Sequence, residues 1–538
     1  MAANPLKTKV VPDILIEVAA FGIGRQQLLH TARGNSKEAI LVAIAEGHFQ
    51  YTLRRQVAHR DQGSRLHRVA LPGGRRHLLL YPKTLFLFYV LDMPSPKLPE
   101  IPDLLHLFQR ALSEGVVDYF QQQAGVRIRR GVYAAQVVLW LMILQRLHAV
   151  GTLAAAVQLL LQGAAAPLLG DCQRVREGRI SSRTGGYCRA RQKLPTVLCR
   201  QVMQEIIGQL RKLLGLEEPG VRRVYLLDGS SLELEHSREL VQEYPAAQNQ
   251  HGVSHWPIVK MVVLHEVQTA MAEAPQWGPM YGPQAVSEQG LASRALDQLP
   301  TGSTILGDSN FGVLWVAYEA QQRGLGVVLR LTEARARKLH GGPISQAGES
   351  AVVWRAGRFD GGKHHCVPAQ ATVTGRLIAR RVGRGQSQQW LYLFVTAAGT
   401  GQEMVDLYGG RWNIETDLRS LKRTVRLHHV AVKSSAMLDK ELFMAICAYN
   451  LVRAVMCLAA RQSGLDPRQL SFAQVLNVVD CAWPKLAGAG TPAEFEREFA
   501  RVLDLAAQCT LPKRRHHRSY PRVLWRRQRG FPFRKGEK

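Results

Sequence analysis

The sequence predicts a mixed α/β protein, with a strand-rich middle between mainly helical N- and C-terminal regions. From Asp103 to Leu216 the apolar residues recur at three- and four-residue spacing, which is typical of amphipathic helices. From Val221 onward, short runs of β-branched and apolar residues predict strands. After about residue 400 the helical spacing returns. A chain of 538 residues is long enough for several domains.

Each element follows from a local pattern. Helices of the first region are predicted by LLHLFQRAL, YAAQVVLWLMILQRL and LCRQVMQEIIGQLRKLL. Strands are predicted by VYLLDGSSLEL, PIVKMVVLHEVQT, STILGDSNF, VVLRLT, AVVWRAG, ATVTGRLIARRVG and QQWLYLFVT. A helix that ends at glycine is predicted by LWVAYEAQQRG, one long helix by GQEMVDLYGGRWNIETDLRSLKRTV, and a buried helix by KELFMAICAYNLVRAVMCLAARQ.

Residues 1–102 form an N-terminal region to which the sequence assigns no chemistry. The apolar and aromatic run from Leu78 to Val90 predicts a buried strand that Pro82 interrupts. The proline-rich stretch PSPKLPEIP, from Pro94 to Pro102, predicts a linker to the helical region.

The charge of the chain indicates a polyanionic partner. The formal net charge is +28 and the pI is about 10.2. Such a charge repels itself in a compact fold, so a nucleic acid or an acidic membrane surface is the expected partner. The most apolar stretch, Val137–Leu161, is interrupted by Gln145, Arg146 and His148, and no signal peptide is evident. We therefore expect no membrane partner, and nucleic acid remains.

The cysteines predict a reducing compartment. The eight cysteines are scattered and form no Cys-x-x-Cys pair, which argues against a structural zinc site and against a disulfide scaffold. We expect the protein in the cytoplasm, associated with the nucleoid.

Two basic segments are candidates for phosphate contacts. The segment from Arg174 to Lys193 carries seven Lys or Arg and one acid, with a predicted tight turn at Gly185-Gly186. A solvated surface loop is the alternative. The tail from Lys513 to Lys538 carries eleven Lys or Arg and one acid, interleaved with aromatic residues. A disordered solubilising tail is the alternative there.

Two aspartates each follow a short apolar strand. Asp228 ends YLLD and precedes Gly-Ser-Ser, and Asp308 ends ILGD and precedes Ser-Asn-Phe. An aspartate just past an apolar strand lies at the edge of a sheet, where a ligand can reach it. Taken singly, each is weak evidence for a site, and the cap of the next turn is the better explanation.

A third carboxylate lies within a helical pattern. Tyr408, Arg411, Glu415 and Lys422 stand at offsets 0, 3, 7 and 14, which places them within about 60° of one another on a helix. A surface ion pair would explain Arg411 and Glu415 but not the alignment of the other two.

Three carboxylates without a His or Cys cluster favour two-metal phosphoryl transfer. Mg²⁺ prefers hard oxygen ligands and keeps several waters, so a few Asp and Glu suffice to hold it. Two such ions activate the attacking oxygen and stabilise the leaving oxygen. Arg411 and Lys422 beside Glu415 would hold a phosphate backbone nearby.

These residues resemble the DDE transposases of bacterial insertion sequences, in the insertion sequence four family. The Tyr-x2-Arg-x3-Glu-x6-Lys signature matches in type and spacing at Tyr408, Arg411, Glu415 and Lys422. Asp228-Gly-Ser-Ser resembles the first Asp motif of the family. Gly307-Asp308 with Phe311 resembles the second, where many members have Arg at the position of Ser309. The resemblance runs from about Phe108 to Phe533.

The resemblance implies an RNase H-like catalytic core with a β-rich insertion. It implies that Asp228, Asp308 and Glu415 are catalytic and bind two Mg²⁺, for which Mn²⁺ can substitute. Tyr408, Arg411, Lys422 and Trp390 would contact DNA near the cut end, Trp390 by stacking on a flipped base, with sheet packing as its alternative. In the basic segment we add Arg189, Arg191 and Lys193 as DNA contacts.

The expected domains are an N-terminal region of unknown role (1–102), a helical DNA-binding region (103–217), the catalytic domain (218–445) and a C-terminal helical region with a basic tail (446–538). The β-rich insertion is expected at about 325–400. The expected function is cutting at the ends of an insertion sequence and joining of the 3′ ends to target DNA, by a dimer on DNA. An inactive or regulatory DNA-binding descendant and another RNase H-like nuclease are the alternatives.

Overall fold

The computed structural model divides the chain into two compact units, residues 1–99 and 100–538. The described residues are 15–20, 49–54, 68–70, 77–79, 104–128, 131–148, 151–169, 172–218, 223–249, 252–357, 367–383, 388–427, 430–487 and 491–512. The predicted DNA-binding tail from residue 513 lies outside them.

The described residues of the first unit form four short strands. They are β1 Leu15–Ala20, β2 Phe49–Arg54, β3 Arg68–Ala70 and β4 His77–Leu79. The first pairs with the second and the third with the fourth, both antiparallel. The strand predicted between Leu78 and Val90 coincides with β4 only at its start, and the rest of that prediction lies outside the described residues.

The second unit begins with helices, as the spacing of apolar residues predicts. They are α1 Leu104–Ala111, α2 Glu114–Gln123, α3 Ala135–Leu147, α4 Leu153–Leu161, α5 Ala166–Leu169, α6 Gln173–Arg176, α7 Gly185–Lys193 and α8 Thr196–Leu213. Helix α3 is buried along its length around Trp140, whose indole donates to the carbonyl of Ala164 at 2.9 Å.

The Gly185-Gly186 pair is not a tight turn, contrary to the prediction. Both glycines lie in the first turn of α7. A Cβ atom at Gly186 would lie 2.9 Å from a ring carbon of Tyr133, so the glycine permits a close helix contact.

A nine-stranded mixed sheet forms the centre of the second unit. In order across the sheet the strands are β11-β12-β13-β10-β9-β5-β7-β6, and β8 also pairs with β7. Strands β5, β9 and β10 are parallel neighbours, and the remaining pairings are antiparallel. The bounds are β5 Val224–Glu233, β6 Ala246–Asn249, β7 Gly252–Glu266, β8 Gln276–Pro279, β9 Thr304–Gly307, β10 Gly326–Leu331, β11 Gly348–Arg355, β12 Thr372–Val382 and β13 Gln389–Val395.

The β-rich stretch predicted at about 325–400 extends this sheet. Strands β11, β12 and β13 pair in sequence, and β13 pairs with β10 of the parallel core. The stretch therefore adds three antiparallel strands to one edge of the core.

Helices cover both faces of the sheet. They are α9 Arg238–Glu243, α10 Glu288–Leu296, α11 Leu314–Gln322, α12 Glu333–His340, α13 Gly401–Gly409, α14 Asn413–Arg419, α15 Ser435–Ser463, α16 Phe472–Ala487 and α17 Pro492–Gln508. Leu226 of β5 belongs to the core that contains α14 and α15, whereas Leu227 belongs to the core that contains α10 and α11. Successive side chains of a strand point to opposite faces, so α14 and α10 lie on opposite sides of β5.

The segment predicted as one long helix from residue 401 is interrupted. A 3₁₀ turn, Gly410–Trp412, separates α13 from α14, and a π turn, Ser420–Thr424, follows α14. Adjacent glycines at 409 and 410 weaken the helix at the first break. Single π turns occur mostly inside α-helices, and they are frequent at functional sites.

The long apolar helix α15 lies in the hydrophobic core of the second unit. It is long and apolar enough to cross a membrane by length and composition, and its most apolar window is entirely buried inside the protein. This is the pattern of a core helix. It confirms the prediction of a buried helix for this segment.

Candidate functional site

The two predicted aspartates are neighbours in space. In the parallel pairing of β5 and β9, Leu227 lies opposite Gly307. Asp228 and Asp308 directly follow these two residues. Neighbouring strands are about 4.8 Å apart. The register therefore brings the two carboxylates together where β9 ends.

Local hydrogen bonds orient both carboxylates. Asp228 Oδ1 accepts from the backbone N–H of Gly229 at 2.8 Å. Asp308 Oδ1 accepts from the backbone N–H of Asn310 at 2.8 Å, in a turn that closes the end of β9. Asp308 thus caps the turn that ends β9. Asp228 lies within β5, which continues to Glu233, so the prediction that Asp228 ends its strand is wrong.

The environment of Asp228 makes its negative charge unfavourable. Burial raises the pKa of this carboxyl to about 6, although the hydrogen bond from the N–H of Gly229 acts to lower the pKa. The charge of Asp308 raises the pKa further, Arg411 lowers it, and Glu288 raises it. A divalent cation between the carboxylates would relieve this repulsion.

Glu415 is exposed on helix α14, which packs against the Asp228 face of β5. Ile414 and Leu418 are buried in the core, and Glu415 itself faces solvent. Asp417, two residues further, is buried and pairs with Arg453 and Arg468, both at 2.9 Å. These ion pairs fix α14 to the core and leave Glu415 outside it.

Arg411 is a buried cation beside the carboxylates. Its residue is 6% exposed, and its guanidinium carbon lies 4.9 Å from the ring centre of Trp412. Its Nε has no hydrogen-bond partner among the residues that the structure describes. A buried donor without a partner is rare, so an anionic group is expected to reach it.

Tyr408 and Lys422 lie at different ends of the site. Tyr408 is buried, which raises the pKa of its hydroxyl, and Asp308 contributes to the same shift. Lys422 donates from Nζ to the carbonyl of Ser231 at 2.8 Å, further along β5. Tyr408 therefore lies near Asp308, whereas Lys422 contacts β5 at Ser231.

The residues present fit a divalent metal ion at the aspartate pair. Over the described ranges, no three His, Cys, Asp or Glu side chains lie close enough to enclose one ion. The donor set is nevertheless hard carboxylate oxygen, and Mg²⁺ is commonly bound by one or two carboxylates with waters and phosphate. Asp228 and Asp308 would hold the ion, with Glu415 on the adjoining helix.

Trp390 lies at the same edge of the sheet as Asp308. Tyr392 of β13 pairs with Leu331, the last residue of β10, so Trp390 lies beyond the carboxyl ends of the parallel strands. Its ring is half-buried, with the guanidinium carbon of Arg381 at 4.9 Å from its centre. Both stacking on a base and sheet packing remain compatible with this position.

The three basic residues of α7 differ in exposure. Arg189 and Lys193 are exposed. Arg191 is buried, and it pairs with Glu441 of α15, which also pairs with Arg146 of α3. Its side chain therefore holds helices together, and a phosphate contact is left to Arg189 and Lys193.

Three residues near the carboxylates were not predicted from the sequence. Glu288 receives a hydrogen bond from Asn310 Nδ2, and Asp417 anchors α14. Asn310 is a short-range feature of the Asp308 turn and could have been found from the Asp-Ser-Asn pattern. Glu288 and Asp417 become neighbours of the site only through tertiary packing.

Comparisons with known proteins find similarity to transposases. Residues 219–451 match the family model described as the transposase DDE domain, and this range contains Asp228, Asp308 and Glu415. The transposase InsG for insertion sequence element IS4 of Escherichia coli (strain K12) is 27% identical over 297 residues. The alignment covers 52% of this chain and 62% of that relative, so the chain spans less than two thirds of the relative's length.

Proposed function

We propose that this chain, which carries a transposase DDE domain of the IS4 family, cuts DNA at the ends of an insertion sequence and joins the 3′ ends to target DNA. The observation that carries the proposal is the register of β5 and β9. It brings Asp228 and Asp308 together beneath the helix that bears Glu415.

Transposase DDE domains generally use divalent metal ions, and we propose two Mg²⁺ here, replaceable by Mn²⁺. Bound ions would activate the attacking water or 3′-hydroxyl and stabilise the leaving oxygen. Asp228, Asp308 and Glu415 are the proposed ligands. A bound cation would stabilise the charged Asp228 carboxylate and would therefore lower its raised pKa.

Cations around the carboxylates would position the DNA backbone. The buried Nε of Arg411 is available to a phosphate oxygen at the cut site. We propose that Lys422, at the far end of β5, contacts the next phosphates, and that Trp390 stacks on a base beyond the strand ends. Tyr408, Arg189 and Lys193 complete the proposed contacts.

The proposed partners are the element ends and target DNA. Two ends are joined in one event, so we propose that the chain acts as a dimer on DNA. A net charge of +28 supports a nucleic-acid partner, and the proposed location is the cytoplasm, at the nucleoid. The RNase H-like description of the core belongs to the same proposal, supported by the parallel strands β5, β9 and β10 with antiparallel β7 beside them.

Excision from a supercoiled plasmid that carries the candidate element ends tests the proposal. Wild type should excise the element in Mg²⁺ and fail in EDTA. Glu415→Gln should bind the ends but lose cutting by at least about 100-fold. The control is Asp406→Asn, an exposed carboxylate on the neighbouring helix α13, which should cut normally. If wild type binds the ends but never cuts with any divalent metal, a non-catalytic descendant is the better account.

A further inference from the structure

The signature segment, residues 408–425, is followed by a residue with an unusual backbone conformation. Arg426 comes directly after Val425, the C-cap of the π turn, and its φ is +59°. Helices commonly end with a left-handed residue at this position, and glycine is usual there because a side chain disfavours positive φ. An arginine in this conformation needs support from the residues around it. Whatever holds Arg426 therefore also holds the end of the signature segment.

A buried arginine of α3 supplies this support. Arg146 is 7% exposed, and its Nη1 donates to the backbone carbonyl of Arg426 at 2.9 Å. Its Nε donates to Oε2 of Glu441 on α15 at 2.9 Å, and its Nη2 donates to the same oxygen. The rigid fork of a guanidinium serves both acceptors at once, which the compact ammonium group of lysine does less well. Arg146 thus ties the carbonyl of Arg426 to a carboxylate in the core.

Glu441 in turn fixes the guanidinium of Arg146. Burial alone would raise the pKa of Glu441, but Arg146 and Arg191 lower the pKa below its usual range, so the carboxylate is charged at neutral pH. Arg191 of α7 pairs with the other oxygen, Oε1. Lys440 donates from Nζ to the carbonyls of Arg191 and Gln192, at 3.2 and 3.0 Å. Side chains of α3, α7 and α15 therefore hold this cluster together.

The chain on both sides of Arg426 is firmly packed. Val425 and Leu427 are buried next to it. The π turn that carries Lys422 and the helix α14 that carries Glu415 precede it without an intervening loop. A rotation of the backbone at Arg426 would therefore shift the part of the chain that carries Glu415 and Lys422.

We propose that Arg146 is a positioning residue for the reaction: by holding Arg426 in the left-handed conformation, it sets where Glu415 and Lys422 stand. This inference deepens the proposed function and rests on it. Arg146 is buried and acts through the backbone of Arg426, not by contact with DNA.

Single-turnover nicking of a duplex that carries the element end, at saturating protein, tests this role through a second substitution. Arg146→Lys keeps a cation beside Glu441 but gives up the hydrogen bond to Arg426, so nicking should slow by about tenfold or more. Glycine adopts the left-handed conformation without support. Arg146→Lys combined with Arg426→Gly should therefore nick within about threefold of the rate of Arg426→Gly alone.

A matched control and a second background separate positioning from general support of the fold. Arg211→Lys should nick like wild type, because Arg211 also joins a helix to a buried carboxylate, that of Glu273, and neither residue belongs to the signature segment. Arg426→Gly should not restore nicking to Glu415→Gln. If Arg146→Lys slows nicking by the same factor with Arg426 and with glycine at that position, Arg146 only supports the fold and the proposal is wrong.

Amide hydrogen exchange of the full chain without DNA gives a readout that does not depend on activity. Peptides that cover residues 420–427 should exchange faster in Arg146→Lys than in wild type, and at the wild-type rate in Arg211→Lys. Unchanged exchange in Arg146→Lys would overturn the proposal. If exchange is faster but nicking is unchanged, Arg146 does not position the site, and the proposed function stands. If wild type never nicks with any divalent metal, the proposed function itself is wrong, and the role of Arg146 falls with it.

Discussion

Asp228 opposes folding at neutral pH. Its carboxyl ionises near 3.8 in an ordinary setting, and burial together with Asp308 raises its pKa to about 6 in the folded protein. A raised carboxyl pKa means that the folded state holds its proton more tightly than the unfolded state. The charged form therefore lowers the free energy of unfolding, fully above pH 6 and not at all well below pH 3.8.

Replacing that charge should stabilise the protein while removing its activity. Asp228→Asn should raise the free energy of unfolding at pH 7 by about 1–2 kcal/mol, after a discount for solvent screening. The gain should shrink as pH falls through 6 and disappear near 3.8. Urea unfolding across this range measures it, and Asp406→Asn should show no such trend. An equal or lower stability of Asp228→Asn at pH 7 would contradict the cost of burying the charged Asp228 carboxylate beside Asp308.

The aspartates were predictable as single residues because a local pattern marks them. Each follows a short apolar run, and such a run indicates a strand from only a few neighbouring residues. The end of the strand was predicted correctly at Asp308 but not at Asp228, because pairing with β7 continues β5 to Glu233. Glu288 has no such mark. It starts a helix after a serine, like Glu114, and only the packing of α10 on β5 brings it to Asp228.

Helix α14 is held in place by a buried charge cluster. Asp417 is almost fully buried and pairs with Arg453 of α15 and with Arg468, which lies in the 3₁₀ turn Pro467–Gln469 that follows α15. The cluster fixes the angle at which α14 crosses β5. It therefore determines where Glu415 stands relative to Asp228.

Removing Asp417 should release this helix. Asp417→Ala leaves two arginines buried without their partner, so the free energy of unfolding should fall by about 3–5 kcal/mol. Urea unfolding at pH 7 measures the change. Glu415→Gln, on the exposed side of the same helix, should change stability by less than about 0.5 kcal/mol. Equal effects of the two substitutions would show that the cluster does not anchor α14.

Elements with regular spacing were well predicted, and the signature helix was not. Hydrophobic periodicity, which local sequence determines, predicted helices α1, α3 and α8 and strands β5, β7 and β9 to β13. It did not predict α7, which begins where a tight turn was expected. Between residues 401 and 424, however, a 3₁₀ turn and a π turn interrupt the helix. The pair of glycines marked the first break, but the π turn depends on tertiary contacts that periodicity does not show.

At the scale of the whole molecule, excess positive charge should govern DNA binding. Each phosphate contact releases counterions, so binding weakens as salt increases. Arg189→Ala and Lys193→Ala should each reduce the slope of log K against log salt by about one. Arg191→Ala should leave the slope unchanged and lower stability, because Arg191 is buried with Glu441. Fluorescence anisotropy with duplex DNA between low and moderate salt measures the slopes.

The opposite ranking would contradict this division of roles. If Arg191→Ala reduced the salt slope and Arg189→Ala did not, the burial of Arg191 in the free protein would not describe the DNA-bound form. The net charge and the family resemblance were visible in the sequence, whereas the difference between neighbouring arginines of α7 depends on which side of the helix meets α15.

We propose that Asp228, Asp308 and Glu415 form one DNA-cutting site. Single-turnover nicking of a short duplex that carries the element end, in Mg²⁺, tests it most directly. Asp228→Asn, Asp308→Asn and Glu415→Gln should each lose the nick by a similar factor of at least about 100, while Asp406→Asn nicks like wild type. If Glu415→Gln nicks as fast as wild type while the two aspartate variants are inactive, Glu415 is the wrong carboxylate and the site described here is not the one that cuts.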